Sequence, residues 1–438
     1  MTDVRPIDAL AARLREAGQA HLLDHAATLD PERRAAFLEE VALVPWERLA
    51  AALRGEGAPR PPDLRPPEAL TLRRQANEPG IARRLGDLGR SLLGAGRVGL
   101  VLLAGGQGTR LGFPGPKGTF VLGPEADRSL YAILFERVAA TARRAGRDVP
   151  VVVLVSRDTE AGTRAHLEAG GWFGLSPERV RFVRQGEMPA VDDDGRALLA
   201  GPGRLALAPD GHGGLVEAMH RAGAFAWLAE QGVEVLATAQ VDNPLARPLD
   251  PVFLGWLVER QAVAAGKAVR KCAPGEKVGV FARGLDGRVR IVEYSELPED
   301  GAPDLVLGSI AVHLFSLPWI TRLLADPGFA LPWHRARKMV AHLGADGRIV
   351  VPEQPNAVKL EQFLFDLLPM APRVAVQEVD RAREFAPVKN AAGEDCPDTA
   401  RALVAAEIAR WHRAAGREPP AGAPSLRPLV ADGPEDLR

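Results

Sequence analysis

Residues Val98–Gly118 read VGLVLLAGGQGTRLGFPGPKG. The first six, Val98 to Leu103, form an apolar run of the length and character of a strand buried on both faces. Ala104, Gly105, Gly106, Gln107, Gly108 and Thr109 follow at once. Glycine at 105, 106 and 108 lets backbone N–H groups turn toward a ligand that side chains would keep away. Arg110 and Lys117 then add two fixed cations. A strand feeding a glycine-rich loop with cations behind it suits a chain of phosphates. Two common phosphate motifs do not fit. GxxxxGK[ST] fails because Lys117 follows Pro116 and is followed by Gly118, and GxGxxG fails because Leu111 stands where its last glycine belongs. The plain alternative is an ordinary glycine-rich turn flanked by surface cations.

Outward from this stretch, the pattern is that of an α/β protein. Leu130, Ile133, Leu134, Arg137 and Val138 have helical spacing through about Ala145, and Pro150–Val155 is a second apolar strand. Strand, helix, strand predicts a parallel sheet. Ligands then belong at the carboxyl ends of the strands, where Gly105 to Lys117 begins. Val180–Arg184 and Glu234–Gln240 read as further strands, the latter running into Asp242-Asn243-Pro244. Asp286-Gly287 and Asp346-Gly347 mark two hairpins, and Leu305–Phe315 is another extended run. Glu361–Leu368 reads as a helix with Phe363, Leu364 and Leu367 inward, Arg373–Val379 as a strand, and Cys396–Ala415 as a helix. Toward the N-terminus, Ile7–Leu53 is helical. Asp30-Pro31-Glu32 supplies an N-cap, a first-turn proline and a first-turn acid. Gly55–Pro67 carries five prolines and reads as a linker, and a helix over about Glu78–Leu93 leads into the first strand.

The chain has 438 residues, enough for two or three domains. A formal net charge of −1 gives no global field toward nucleic acid or a membrane surface. Cys272 and Cys396 are the only cysteines, which makes neither a metal cluster nor a disulfide framework and suits a reducing compartment. The first residues lack the apolar core of a signal peptide, and no run reaches membrane-spanning length, so a cytoplasmic location is expected.

GGQGTRLG, three residues, then PK resembles the signature of the UDP-sugar pyrophosphorylases, the UTP:sugar-1-phosphate uridylyltransferases. Further blocks in the same order are FVRQGEMPAV, PDGHGG, AQVDNPL, KVGVFARGLDGRVRIVEYSE, QPNAVKLEQFLFD and FAPVKN. Together they look most like the UDP-N-acetylglucosamine pyrophosphorylase branch, from the N-terminal helices almost to the end. The resemblance implies a Rossmann-like nucleotide-diphospho-sugar transferase fold: a mixed, mainly parallel central sheet with helices on both faces. It divides the chain, in sequence order, into an N-terminal helical region (1–95), a central nucleotidyltransferase domain (96–395) and a short C-terminal helix and tail (396–438). Larger family members continue further, and the shorter end here implies a monomer or weak homodimer.

Carried over residue by residue, the resemblance places Leu103, Ala104, Gly105, Gly106, Gly108 and Thr109 against the nucleotide. Gln185 falls on the uracil edge, where an amide donates and accepts at once, and Gly211 lies close to the base. Arg110, Lys117 and Lys389 would neutralise the phosphates as catalytic cations. His212, Gly279, Glu293, Ser309 and Lys359 would hold the sugar and its phosphate, and Asp242 would be the carboxylate for Mg²⁺. The implied reaction joins UTP and a sugar 1-phosphate into UDP-sugar and pyrophosphate. The attacking phosphate oxygen is already ionised, so alignment and charge neutralisation replace a general base. Two departures touch the sugar. The N-acetylglucosamine branch has asparagine where His212 and Ser309 stand, and the glucose branch has a histidine in a similar setting. N-acetylglucosamine 1-phosphate is the main reading. Glucose 1-phosphate, a broad sugar range, and a non-catalytic nucleotide-sugar sensor stay open, as do a different base and, more remotely, a dinucleotide oxidoreductase.

Overall fold

The computed structural model describes residues 6–54, 63–123, 128–297, 302–420, 422 and 424–438. Most of the proline-rich stretch read as a linker, residues 55–62, lies outside them. By packing, the chain forms two units: Met1–Arg60 with Gln185–Glu217 and Ala330–Asp366, and Pro61–Arg184 with Ala218–Phe329 and Leu367–Arg438. This partition follows contact, whereas the three-part division above follows chain order; the two cut the chain differently.

The larger unit is built on one sheet. In chain order its strands are β1 (Ala69–Leu70), β2 (Val98–Leu103), β3 (Val151–Val155), β4 (Val180–Arg184), β5 (Val235–Gln240), β6 (Ala264–Arg270), β7 (Val280–Arg283), β8 (Val289–Val292), β9 (Leu307–Ser316) and β10 (Val374–Glu378). The spatial order is β1-β10-β6-β9-β5-β2-β3-β4, with β7 paired to β8 and touching β9. Neighbours along this path are parallel, except that β9 runs antiparallel to both β6 and β5. The apolar run over Val98–Leu103 is thus a central strand, between β3 and β5. Both of its faces are covered. Leu100 and Leu102 join a core with Leu134 and Val138 of the helix Leu130–Ala145. On the other face, a Cβ added to Gly99 would come within 3.1 Å of Leu228 in the helix Ala224–Glu230. Leu130–Ala145 is apolar almost all round and is buried from Leu130 to Ala140. It starts where the Ser129 hydroxyl accepts from the Ala132 N–H at 3.0 Å and ends at the left-handed Gly146.

The smaller unit packs four helices, Pro6–Glu16, His21–Ala27, Pro31–Ala42 and Trp46–Arg54, against short β-hairpins. The expected cap is in place: the Asp30 carboxylate accepts from the Arg33 N–H at 3.0 Å. Leu14, Phe37, Val41 and Trp46 from the helices meet Met188, Val191, Leu205 and Leu360 in one core. Side chains of the helices, and of the turn between the first two, also serve backbone at the hairpin edges. Gln19 donates to Gly195 O and accepts from Ala197 N, both at 2.8 Å, and Glu40 accepts from Leu205 N at 2.7 Å.

Two parts depart from the sequence reading. Glu361 does not start a helix. It closes the strand Ala357–Glu361, which pairs with His334–Lys338, and a 3-10 turn over Leu364–Met370 follows. Pro369 inside that turn blocks a longer helix, although Leu364 and Leu367 do point inward. Strand β6, AAGKAVR, was not foreseen. It buries Lys267 completely, which its partners Asp250 and Glu384 make possible. Among the described residues no helix is long and apolar enough to cross a membrane.

Candidate active site

The glycine-rich loop leaves the carboxyl end of β2 and folds back on itself. Gly108 N donates to Gly115 O at 2.9 Å, and Lys117 N to Gly106 O at 3.0 Å. The glycines have different reasons to be there. A Cβ on Gly108 would lie 2.8 Å from the Phe113 ring, and one on Gly118 would lie 2.2 Å from that of Tyr131. Both are packing requirements. A Cβ on Gly106 would meet nothing within 4 Å. Internal packing does not demand glycine there, whereas a ligand approaching the backbone does.

The Lys117 side chain reaches across to Asp242, with Nζ 2.8 Å from Oδ2 and the two side chains only 16% and 11% exposed. Asp242 stands just past the end of β5. Its carbonyl accepts from Val388 N at 2.9 Å, which brings Lys389, the next residue, to the same loop. Lys389 Nζ lies 3.1 Å from Asp395 and over the Phe385 ring. Arg110 is exposed and makes no ion pair among the described residues.

A second constellation forms where β7, β8 and β9 meet. Ser309 N donates to Gly279 O at 2.8 Å. A Cβ on Gly279 would lie 3.0 Å from Glu293 Oε1, so the carboxylate sits over the bare backbone of the glycine. Gly279, Glu293 and Ser309, far apart in sequence, are thus neighbours. Ala311 N donates to Ser309 Oγ at 3.3 Å, and Ala311 itself is left-handed, with φ 55°.

Gln185, Gly211, His212 and Lys359 belong to the smaller unit. Gly211 has φ 83°, and a Cβ there would come within 2.4 Å of Gln362 O, so glycine is required twice over. His212 lies against Phe363, Phe365 and His334. Burial among these rings, helped by the nearby His334, pushes its pKa down to about 4. The ring is therefore neutral at pH 7. Its Nδ1 accepts from Leu364 N at 3.0 Å, so the proton sits on Nε2, which is free to act as a donor. Asp210 was not singled out by the sequence. Cβ atoms on Gly186 and Gly214 would lie 2.1 and 2.2 Å from its carboxylate oxygens, so it seats the Gln185 and His212 blocks against each other. The side chains of Gln185 and Lys359 make no hydrogen bond among the described residues and are half-buried. A cavity of about 590 Å³ in the larger unit, among Leu100, Leu134, Val138, Arg137 and Leu249, is lined by none of the sequence-predicted site residues.

The model of the UTP–glucose-1-phosphate uridylyltransferase family matches residues 86–413. The chain belongs to that family. Membership makes it a uridylyltransferase, and the relatives of this uridylyltransferase extend over most of its length. It is 37% identical over 433 residues to the human UDP-N-acetylhexosamine pyrophosphorylase-like protein 1, covering 92% of this chain and 85% of the relative. It is 33% identical over 438 residues to UDP-N-acetylglucosamine diphosphorylase 2 of Arabidopsis thaliana, covering 94% and 86%. Its fold matches the crystal structure of the uridine diphosphate N-acetylglucosamine pyrophosphorylase of Trypanosoma brucei in complex with an inhibitor. The TM-score is 0.80 at 28% identity, over 95% of this chain and 87% of the other.

The donor set of this uridylyltransferase fits Mg²⁺ in one manner. Among the described residues no three His, Cys, Asp or Glu side chains converge on a common point. A single carboxylate is enough for Mg²⁺ when phosphate oxygens and water supply its other ligands. Asp242, beside the glycine-rich loop, would serve as that carboxylate.

Proposed function

We propose that the chain transfers the uridylyl group of UTP to N-acetylglucosamine 1-phosphate. One observation carries the chemical half of this reading. Lys117, held to the open Gly106 by its backbone, reaches Asp242 at the end of the adjacent strand. A cation and a carboxylate at the carboxyl ends of two parallel strands suit a triphosphate and its counter-ion. The sugar half rests on the relatives, whose names specify N-acetylglucosamine or N-acetylhexosamine.

In the reaction, an oxygen of the sugar phosphate attacks the α-phosphorus of UTP. The bond from the α-phosphorus to the bridging oxygen breaks, and pyrophosphate leaves with the electron pair. Arg110, Lys117 and Lys389 offset the charge that builds up on the phosphates. Asp242 would hold Mg²⁺, which supplies further charge neutralisation when bound. Gln185 reads the uracil edge. Neutral His212 donates from Nε2 to the sugar phosphate, and Lys359 adds a fixed cation. Gly279 leaves room for Glu293 to accept from sugar hydroxyls, with Ser309 beside them.

His212 and Ser309 favour a second reading in which glucose 1-phosphate is also used, because both replace the asparagines of the N-acetylglucosamine branch. Pyrophosphate release with UTP and Mg²⁺, measured across a panel of sugar 1-phosphates, tests both. We expect release with N-acetylglucosamine 1-phosphate. Release with glucose 1-phosphate alone would overturn the sugar assignment, and UTP binding without release for any sugar would overturn catalysis.

A further inference from the structure

The loop after β5 does more than present Asp242. The side chain of its next residue, Asn243, which is 3% exposed, makes three hydrogen bonds. One is local: Oδ1 accepts from Leu245 N at 3.2 Å, closing an Asx turn. The other two reach some 140 residues along the chain. Nδ2 donates to Glu384 O at 2.7 Å, and Oδ1 accepts from Ala386 N at 3.0 Å. With the bond from Val388 N to Asp242 O, residues 384, 386 and 388 are all tied to the pair Asp242-Asn243. Glu384 is fixed from behind as well. Its carboxylate takes Lys267 Nζ at 2.6 Å, and Lys267, fully buried on β6, also bonds Asp250 at 3.1 Å and Arg247 O at 3.0 Å. The segment ending at Lys389 is therefore gripped at its start by Lys267 and along its length by Asn243.

We infer that Asn243 is a positioning residue for uridylyl transfer, acting through Lys389. An amide is needed because one group must donate to Glu384 O and accept from Ala386 N. Aspartate has the same shape but turns an acceptor toward the Glu384 carbonyl and leaves that oxygen without its donor. The consequence is a shift of the segment and of the ammonium at its end. A displacement of about 1 Å in a charge-aligning group can cost a factor of about a hundred in rate. The inference rests on the reading that Lys389 faces the reacting phosphates, and the two can fail separately.

The test is pyrophosphate release at saturating substrate by Asn243→Asp, Lys389→Ala and the double variant. Each is first checked for a cooperative melt and for UTP binding by calorimetry; Asn243→Ser stands in if Asn243→Asp does not melt cooperatively. Asn243→Asp is expected to lower kcat by about tenfold to a hundredfold with the KM for UTP little changed. The double variant is expected to be no slower than Lys389→Ala. A folded Asn243→Asp with wild-type kcat, even at a lowered melting temperature, would overturn the positioning role. So would losses that multiply in the double variant. Wild-type kcat in Lys389→Ala would instead overturn the reading of Lys389, and the inference with it.

Discussion

At the scale of single residues, the Lys117–Asp242 pair links the glycine loop to the carboxylate proposed for Mg²⁺. Its side chains are mostly buried, so it is screened less than a surface pair. Replacing Lys117 removes the cation proposed to face the reacting phosphates and leaves Asp242 without its partner. Lys117→Ala is expected to lower the rate of pyrophosphate release by on the order of a hundredfold or more. It is also expected to lower the melting temperature while still folding. Near-wild-type turnover would remove Lys117 from the mechanism. His212 makes a prediction of the opposite kind. Its pKa lies below the ordinary value of 6.5, at about 4. A histidine depressed in the folded state favours folding fully above pH 6.5. That contribution falls away as the pH drops through the window down to 4, because the unfolded chain takes up the proton first. The shift amounts to on the order of 3 kcal/mol. His212→Asn cannot titrate, so urea unfolding should show the wild type losing stability relative to this variant between pH 6.5 and 4. Parallel pH profiles would mean that the ring is not held neutral.

At the scale of elements, the helices Ile81–Gly94 and Pro251–Glu259 cross at glycines. A Cβ on Gly89 would lie 1.9 Å from the carbonyl oxygen of Pro251, and one on Gly255 would lie 1.9 Å from that of Leu85. Neither contact can be relieved by a side-chain rotation. Gly89→Ala and Gly255→Ala should each cost at least about 1–3 kcal/mol in urea unfolding and leave kcat per folded molecule unchanged. A neutral effect would mean that the helices are free to separate. These glycines lie outside the site, and nothing in the sequence distinguished them from the loop glycines. What was legible had a local cause. The strand Val98–Leu103 shows as an apolar run, the helix Leu130–Ala145 as a period with a cap, and the hairpin at Asp286-Gly287 as a turn residue with φ 75°. What was illegible had a distant cause. Lys267 is acceptable inside β6 because Glu384, 117 residues on, meets it. Glu361 departs from the helical reading because it has a strand partner at His334, 27 residues earlier. The candidate site divides in the same way. Gly106, Lys117 and Asp242 stand out in short motifs, whereas the two long-range bonds of Asn243 and the rings around His212 emerge only with the fold.

At the scale of the whole molecule, the N-terminal helices are part of a working core. The reading by chain order set residues 1–95 apart as a helical region. In the structure, Leu14, Phe37, Val41 and Trp46 share a core with Met188, Val191 and Leu205, from the segment that begins at Gln185 and holds His212. The same N-terminal region satisfies backbone groups that would otherwise need water: Ala197 N bonds Gln19, in the turn between the first two helices, and Leu205 N bonds Glu40. Arg48 pairs with Glu217 at the far end of the segment. A chain starting at Asp63 would keep every strand of the large sheet, the glycine loop, Lys117 and Asp242. It would lose the apolar surface against which the Gln185–Glu217 segment is folded. Exposed leucines and unpaired hairpin edges favour aggregation, and the geometry of Gln185, Gly211 and His212 has no other support from the deleted side. Such a chain is expected to release no pyrophosphate, and limited proteolysis is expected to cut it between residues 185 and 217, where the full chain resists. If the truncated chain turned over at the full rate, the N-terminal helices would be dispensable to uridylyl transfer, and the Gln185–Glu217 segment would hold its fold without them.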